Sequence, residues 1–169
     1  MARIYEMRET RKGDINGYVY AAISTLDTAA LRRWQRELQK AQTFAEAAII
    51  PPPFISFWFG IDSGKPDWPY SGFSRHACSR QMWEVIQPFC ADKVGWIQLP
   101  PDQDGVSVEW GLLFGIPEVD LSEPLFDLPH LFTNKSPDSV IHWPFCSEEL
   151  RAGLIAANCV GIDFVAREI

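Results

Sequence analysis

Apolar residues near the C-terminus change from helical to strand spacing within one short stretch. They recur at helical intervals from Leu150 to Ile155, directly after Ser147, a residue type that often caps a helix N-terminus. The acidic residues of the next turn suit the positive end of a helix dipole. The pattern predicts a helix over 147–158 and a short strand over 160–166.

The same order of signals occurs earlier in the chain. Cys78 and Ser79 precede a second helical pattern, which predicts a helix over 79–90, and Gly95 opens an apolar strand. Both segments run from Cys-Ser through a helix to Val-Gly and a strand. The distance from Cys to Gly is 17 residues in the first segment and 15 in the second. We interpret the two segments as similar helix–strand modules within one domain.

Together with the spacing of apolar residues in the rest of the chain, these modules predict an α+β fold with a mostly antiparallel sheet and about three helices. One domain over 1–169 is expected, with an N-terminal hairpin and helix in 1–50 and a core in 51–169. The other expected elements are a hairpin within 1–24, a helix over 28–47, strands at 54–59 and 139–145, a hairpin of 94–99 with 106–116, a loop over 60–72, and an irregular acidic surface segment over 117–139.

Composition places the chain among globular proteins. Apolar residues make up 47% of it and aromatic residues 13%, which is enough to build a core. The formal net charge is -7 and the isoelectric point is about 4.9. Nucleic acids and anionic membranes need a basic face, so neither is an expected partner, whereas a basic protein is.

The four cysteines do not form a recognisable metal motif. No CxxC pair is present and no histidine lies at ligand spacing from a cysteine pair, so we expect neither a metal nor another cofactor. The first residues lack the apolar segment of a signal peptide, and no apolar run approaches the about 18 residues of a membrane-spanning helix. We therefore expect a cytoplasmic protein with reduced thiols.

The strongest candidate for catalysis is a cysteine nucleophile at a helix N-terminus. Cys78 or Cys146 could react there, with His76 or His142 as the base. No phosphate-binding, zinc-hydrolase or serine-hydrolase motif accompanies them. A small cytosolic cysteine enzyme is the alternative hypothesis, and a generic adaptor domain is a third.

For two sets of side chains the sequence allows two interpretations, namely contact with a partner or an ordinary structural role. Arg32, Arg33 and Arg36 on the first predicted helix form either a binding face or a solvated helix face. Trp68 and Tyr70 in the following loop either anchor an interface or lie back on the core. The solvated face is the simpler interpretation of the arginines, and the sequence does not decide between the two for the aromatic residues.

Seven short motifs follow one another between about 65 and 166. They are Lys65-Pro66-Asp67-Trp68, Ser79-Arg80-Gln81-Met82, Ile97-Gln98-Leu99-Pro100, Trp110-Gly111-Leu112-Leu113-Phe114, Val119-Asp120, Ser147-Glu148-Glu149-Leu150 and Gly161-Ile162-Asp163-Phe164. Their order resembles that of the bacterial polymorphic-toxin immunity proteins of immunity family eleven. Trp68 stands where the family usually has Phe, and Trp110 where it tends to have Tyr pairs. The resemblance implies a cognate toxin that is bound stoichiometrically and held inactive, and it transfers no catalytic residue.

The leading hypothesis is therefore a non-enzymatic immunity protein. It would neutralise an antibacterial effector delivered by a neighbouring cell through a secretion system such as type VI. A nuclease such as a DNase fits, since nucleases need basic surfaces that an acidic inhibitor can cover. The predicted toxin contacts are acidic loop residues and one tryptophan: Asp67, Trp68, Asp102, Asp104, Glu118, Asp120 and Glu123.

Overall fold

The structure is a computed structural model. It describes residues 3–10, 21–24, 28–53, 56–59, 66–71, 76–90, 94–100, 109–122, 127–135 and 143–169. In this part of the chain the helices are α1 (Thr28–Lys40), α2 (Phe44–Ala48), α3 (Arg80–Ile86, continued by a 3-10 turn at Gln87–Phe89) and α4 (Glu148–Ala156). The strands are β1 (Arg3–Glu9), β2 (Ala21–Ser24), β3 (Ser56–Phe59), β4 (Tyr70–Ser71), β5 (Ala77–Ser79), β6 (Gly95–Gln98), β7 (Trp110–Phe114), β8 (Glu118–Val119), β9 (Leu131–Asn134), β10 (Pro144–Cys146) and β11 (Ile162–Glu168).

The described strands form three sheets. The largest has the order β11-β1-β10-β9-β8, and the two three-stranded sheets have the orders β3-β2-β4 and β5-β7-β6. All pairs are antiparallel except β2 with β4 and β8 with β9. The α+β class with a mostly antiparallel arrangement is confirmed.

The two helix–strand modules are confirmed, and they share a topology. In the first, β5, α3 and β6 follow one another, and β7 lies between the two strands, antiparallel to both. In the second, β10, α4 and β11 follow one another, and β1 takes the middle place in the same way. Each module is thus a pair of parallel strands joined by a helix and separated by one antiparallel strand.

Both module helices begin as predicted. Ser79 caps α3 by accepting a hydrogen bond from the Met82 N–H at 3.1 Å, and Ser147 caps α4 by accepting one from the Leu150 N–H at 3.2 Å. Asn158 has a φ of 55°, the left-handed conformation that commonly ends a helix.

The hydrophobic core has two parts, one on each face of the sheet β5-β7-β6. Cys78, Trp96 and Leu113 point into the part shared with α3, α4 and the five-stranded sheet. Their neighbours along the same strands, such as Ile97 and Leu112, point into the part covered by α1 and α2. Side chains alternate between the faces of a strand, so β7 is buried on both.

The predicted N-terminal hairpin is wrong. β1 pairs over its whole length with β11, from Arg3 opposite Glu168 to Glu9 opposite Ile162, while β2 belongs to another sheet. The first strand buries both of its faces, with Ile4 and Glu6 on one and Tyr5 and Met7 on the other. It therefore packs against other parts of the protein on both faces and pairs with β11 and β10 at its two edges. A local hairpin could not provide these contacts.

The predicted single helix over 28–47 is two helices. The break falls between α1 and α2, where the Thr43 hydroxyl caps α2 by accepting a hydrogen bond from the Glu46 N–H at 3.2 Å. The Glu46 carboxylate in turn accepts one from the Gln42 N–H at 2.7 Å. Thr-x-x-Glu is the sequence signature of a helix start, and it was the signal that could have located this break.

The segment 117–139, predicted to be irregular and exposed, contains two strands. β9 lies inside the five-stranded sheet, and Leu131 and Phe132 on it are buried. Its antiparallel neighbour β10 (Pro144–Cys146) overlaps the end of the predicted strand over 139–145, of which 139–142 lie outside the described residues. Strand β4 likewise lies in the predicted loop over 60–72, of which 60–65 and 72 are not described.

Candidate functional site

Asp67 lies in the interior, where its carboxylate holds two other segments. One carboxylate oxygen accepts the hydroxyl hydrogen of Ser79 and the other accepts the Val160 N–H at 2.8 Å. Its backbone N–H and carbonyl bond to Val160 and Ser79, both at 2.8 Å. Only 8% of Asp67 is exposed. Its predicted role as a toxin contact has no surface to support it, and the residue instead joins the start of α3 to the turn after α4.

Trp68 packs in the core rather than on the surface. It is 2% exposed and stacks on the imidazole of His76, with ring centroids 5.5 Å apart and an interplanar angle of 12°. His76 in turn lies 6.4 Å from the ring of Trp143. Of the two alternatives for this tryptophan, the structure supports the packed one. Nothing is described of the Tyr70 side chain.

Glu118 and Asp120 lie on the surface at the end of the five-stranded sheet. Glu118 belongs to β8, the terminal strand in the described order, and pairs with Thr133 of β9. Asp120 follows the strand and accepts a hydrogen bond from the Ser122 N–H at 3.0 Å. The Ser122 hydroxyl, the Ser122 N–H and, more weakly, Lys135 lower the pKa of Asp120, so this carboxylate is ionised at neutral pH.

The other three predicted contacts, Asp102, Asp104 and Glu123, lie outside the described residues. In the structure, Glu118 and Asp120 lie at one edge of the described sheet, whereas Asp67 and Trp68 are buried in the interior. The sequence placed all of them on loops because their flanking prolines and acidic neighbours are typical of exposed turns.

The thiols do not have the environment of nucleophiles. Burial raises the pKa of Cys78 well above the usual thiol value and that of Cys146 to about 12. Burial also raises the pKa of Cys90 and of Cys159 to about 11. Reactive cysteines have a lowered pKa and access to solvent, whereas Cys78 and Cys146 are fully buried. Neither thiol therefore has the surroundings that a cysteine nucleophile needs.

His130 forms a serine–histidine contact that serves the fold. Its Nδ1 lies 2.8 Å from the hydroxyl of Ser147, and the Glu149 carboxylate lies 3.8 Å from the same nitrogen. A catalytic triad needs the carboxylate on the opposite ring nitrogen. The Ser147 oxygen is also occupied as the cap of α4, so the contact ties β9 to the start of this helix. His142, which the sequence offered with His76 as a possible base, lies outside the described residues.

A groove lies along α1. Its volume is about 470 Å³, and it is lined by Ala29, Arg32, Gln35, Arg36 and Gln39. The sequence identified Arg32 and Arg36 as a possible binding face, although a solvated helix face was the simpler interpretation. It gave no indication of the groove, because a groove depends on which segments lie beside the helix.

The described residues contain no group of three or more His, Cys, Asp or Glu side chains placed to hold a metal ion. Within the same residues, no helix has both the length and the apolar character needed to cross a membrane. Comparisons with protein-family models, with curated proteins and with solved structures give no match to this chain.

Proposed function

We propose that this protein is an immunity protein that binds a cognate antibacterial toxin and holds it inactive through a stoichiometric complex. The observation that carries the proposal is the acidic edge of the five-stranded sheet, formed by Glu118 and Asp120 in a chain of net charge -7. The resemblance to immunity family eleven supplies the kind of partner.

The chemistry of this edge suits a basic protein partner. Both carboxylates are exposed and lie on or next to a short strand, so the sheet fixes their backbone while their side chains stay in water. Charges at the rim of an interface raise the association rate and select against partners of the wrong sign more than they add affinity. A nuclease such as a DNase carries the basic surface that such an edge would attract.

Inhibition by binding also agrees with the interior of the molecule. Cys78 and Cys146 are buried, His76 stacks on Trp68, and His142 lies outside the described residues. We propose that the complex forms in the cytoplasm, after a neighbouring cell has delivered the toxin through a secretion system such as type VI.

Co-expression with the product of the adjacent gene tests the proposal. The expected result is rescue of growth and co-purification as a 1:1 complex. The double variant Glu118→Lys, Asp120→Lys should protect less well. The matched control is Glu84→Lys, Glu168→Lys, which changes the net charge equally at two other exposed positions. Failure of the unmodified protein to bind or to protect would overturn the proposal.

A further inference from the structure

The helix α1 differs in charge from the rest of the protein. Its 13 residues contain four basic side chains and one acidic side chain, a net charge of +3, so the remainder of the chain carries -10. The acidic residue, Glu37, bonds to Lys40 at 2.7 Å. Arg32 and Arg36 make no ion pair with any residue that the structure describes.

The buried side of α1 fixes which side chains face the groove. Trp34 and Leu38 are 3% and 1% exposed and pack in the core part shared with the sheet β5-β7-β6. The Trp34 indole N–H also donates to the Ile50 carbonyl at 3.4 Å. At 3.6 residues per turn, Arg32 and Arg36 then fall on the opposite side of the helix.

The two groove arginines repel each other in the free protein. Arg32 and Arg36 are four residues apart and so are neighbours on the helix surface, where like charges destabilise a helix. A ligand with carboxylates would relieve this repulsion. Each guanidinium presents a planar set of donors that matches a carboxylate, and the amides of Gln35 and Gln39 add further donors on the same stripe.

We propose that this groove binds a short acidic segment of another protein. The stripe from Ala29 to Gln39 is about 15 Å long at a rise of about 1.5 Å per residue. An extended peptide of about four or five residues has the same length. The lining includes two arginines and two glutamines, whose positive charge and N–H donors match glutamate and aspartate side chains.

A nucleic acid fits the groove less well. Proteins that bind nucleic acids neutralise several phosphates along an extended backbone, whereas only two arginines line this groove. The charge of -10 on the rest of the chain would repel a long polyanion, and a short acidic peptide escapes most of that repulsion by staying within the basic stripe. The inference is independent of the toxin, which the acidic edge would bind.

Fluorescence anisotropy with a labelled oligoglutamate peptide tests the proposal on the full chain. We expect saturable binding at low ionic strength that weakens as salt is added. Arg32→Gln, Arg36→Gln should reduce affinity by about tenfold or more, since hydrogen bonds to charged groups are lost. The matched control Arg33→Gln, Lys40→Gln removes the same charge from the same helix but from residues that do not line the groove, and it should retain most of the affinity.

Three results would overturn the proposal: no saturable binding of oligoglutamate, equal loss in both double variants, or tighter binding of a single-stranded oligonucleotide through Arg32 and Arg36. Both pairs of substitutions place glutamine, a good helix former, at exposed positions. Circular dichroism of each variant establishes that the fold is retained.

Discussion

The Ser79 hydroxyl donates its hydrogen to the carboxylate of Asp67, and the same hydroxyl oxygen caps α3 by accepting the Met82 N–H. The second Asp67 carboxylate oxygen accepts the Val160 N–H, which lies in the turn between α4 and β11. One buried side chain therefore connects the first module to the second. From the sequence, its flanking prolines and acidic neighbours had predicted a surface position for this aspartate.

Replacing Asp67 by alanine should destabilise the protein strongly. The substitution leaves the buried Ser79 hydroxyl without its acceptor and removes the carboxylate that accepts the partly buried Val160 N–H. An unsatisfied buried polar group costs about 1 to 3 kcal/mol, so we expect a loss of about 2 to 5 kcal/mol in the free energy of unfolding. Urea denaturation measures it.

The control for this substitution is Asp120→Ala, since Asp120 is exposed and bonds only within its own turn. It should change the free energy of unfolding by less than about 0.5 kcal/mol. A variant Asp67→Ala that folds with unchanged stability but binds the toxin poorly would contradict the structural role and restore this residue as a contact.

Gly161 should not tolerate a side chain. Its φ is 82°, and a Cβ built there would lie 2.3 Å from the Cβ of Pro66. The left-handed conformation costs other residues about 1 to 2 kcal/mol, and overpacking adds about 1 to 3 kcal/mol. Gly161→Ala should therefore lower the free energy of unfolding by about 2 to 5 kcal/mol in urea denaturation.

Gly153 provides the matched glycine control. It lies inside α4, where a Cβ would meet Val85 Cγ1 at 3.3 Å, close enough to require a small shift but not a rearrangement. Alanine is favoured over glycine in a helix by about 1 kcal/mol, which offsets the tight contact. Gly153→Ala should leave stability nearly unchanged. Equal effects of the two substitutions would show that the contact with Pro66 is not restrictive.

Local signals in the sequence predicted the elements whose structure depends on local contacts. Ser79 and Ser147 marked the starts of α3 and α4, because capping involves residues within one turn. The antiparallel pairing of β6 with β7 was also found, since apolar runs on either side of a polar turn indicate a hairpin.

Elements that depend on distant partners could not be predicted in this way. β1 pairs with β11 at the opposite end of the chain, and no local feature distinguishes that pairing from a hairpin with the next strand. The same reason explains the missed burial of Asp67. An aspartate beside a proline is typical of an exposed turn. Its hydrogen bonds to Ser79 and Val160 depend on the tertiary fold and leave no local signal in the sequence. Glu118 and Asp120 were correctly predicted to be exposed: Glu118 lies on the terminal strand of the described order, and Asp120 follows it directly.

The proposed acidic edge should act mainly on the rate of association. Glu118→Lys, Asp120→Lys replaces two steering charges by repulsive ones, so the association rate constant with a basic toxin should fall by about tenfold or more at low salt. Stopped-flow mixing measures it. The difference from the unmodified protein should shrink as salt is raised, because exposed charges are screened. A difference that is independent of salt would argue against steering by these residues.

Stability should decline in alkaline solution because Cys146 is protonated in the folded protein. Its pKa is raised from 9.0 to about 12 by burial, whereas the thiol of the unfolded chain ionises near the lower value. The full contribution is present below pH 9.0, and it is lost as the pH rises from there toward about 12, since only the unfolded chain then releases the proton. The slope is about 1.4 kcal/mol per pH unit for one thiol.

Comparison with Cys146→Ala isolates this effect from the titration of tyrosines and lysines, which both proteins share. Removing the buried sulfur also costs packing, but that cost is the same at every pH. In reducing buffer, the stability advantage of the unmodified protein over Cys146→Ala should shrink steadily above pH 9.0 and could reverse its sign. Parallel stability curves across this range would mean that the thiol ionises as easily in the folded protein as in the unfolded chain, which its burial between Tyr5 and the start of α4 makes unfavourable.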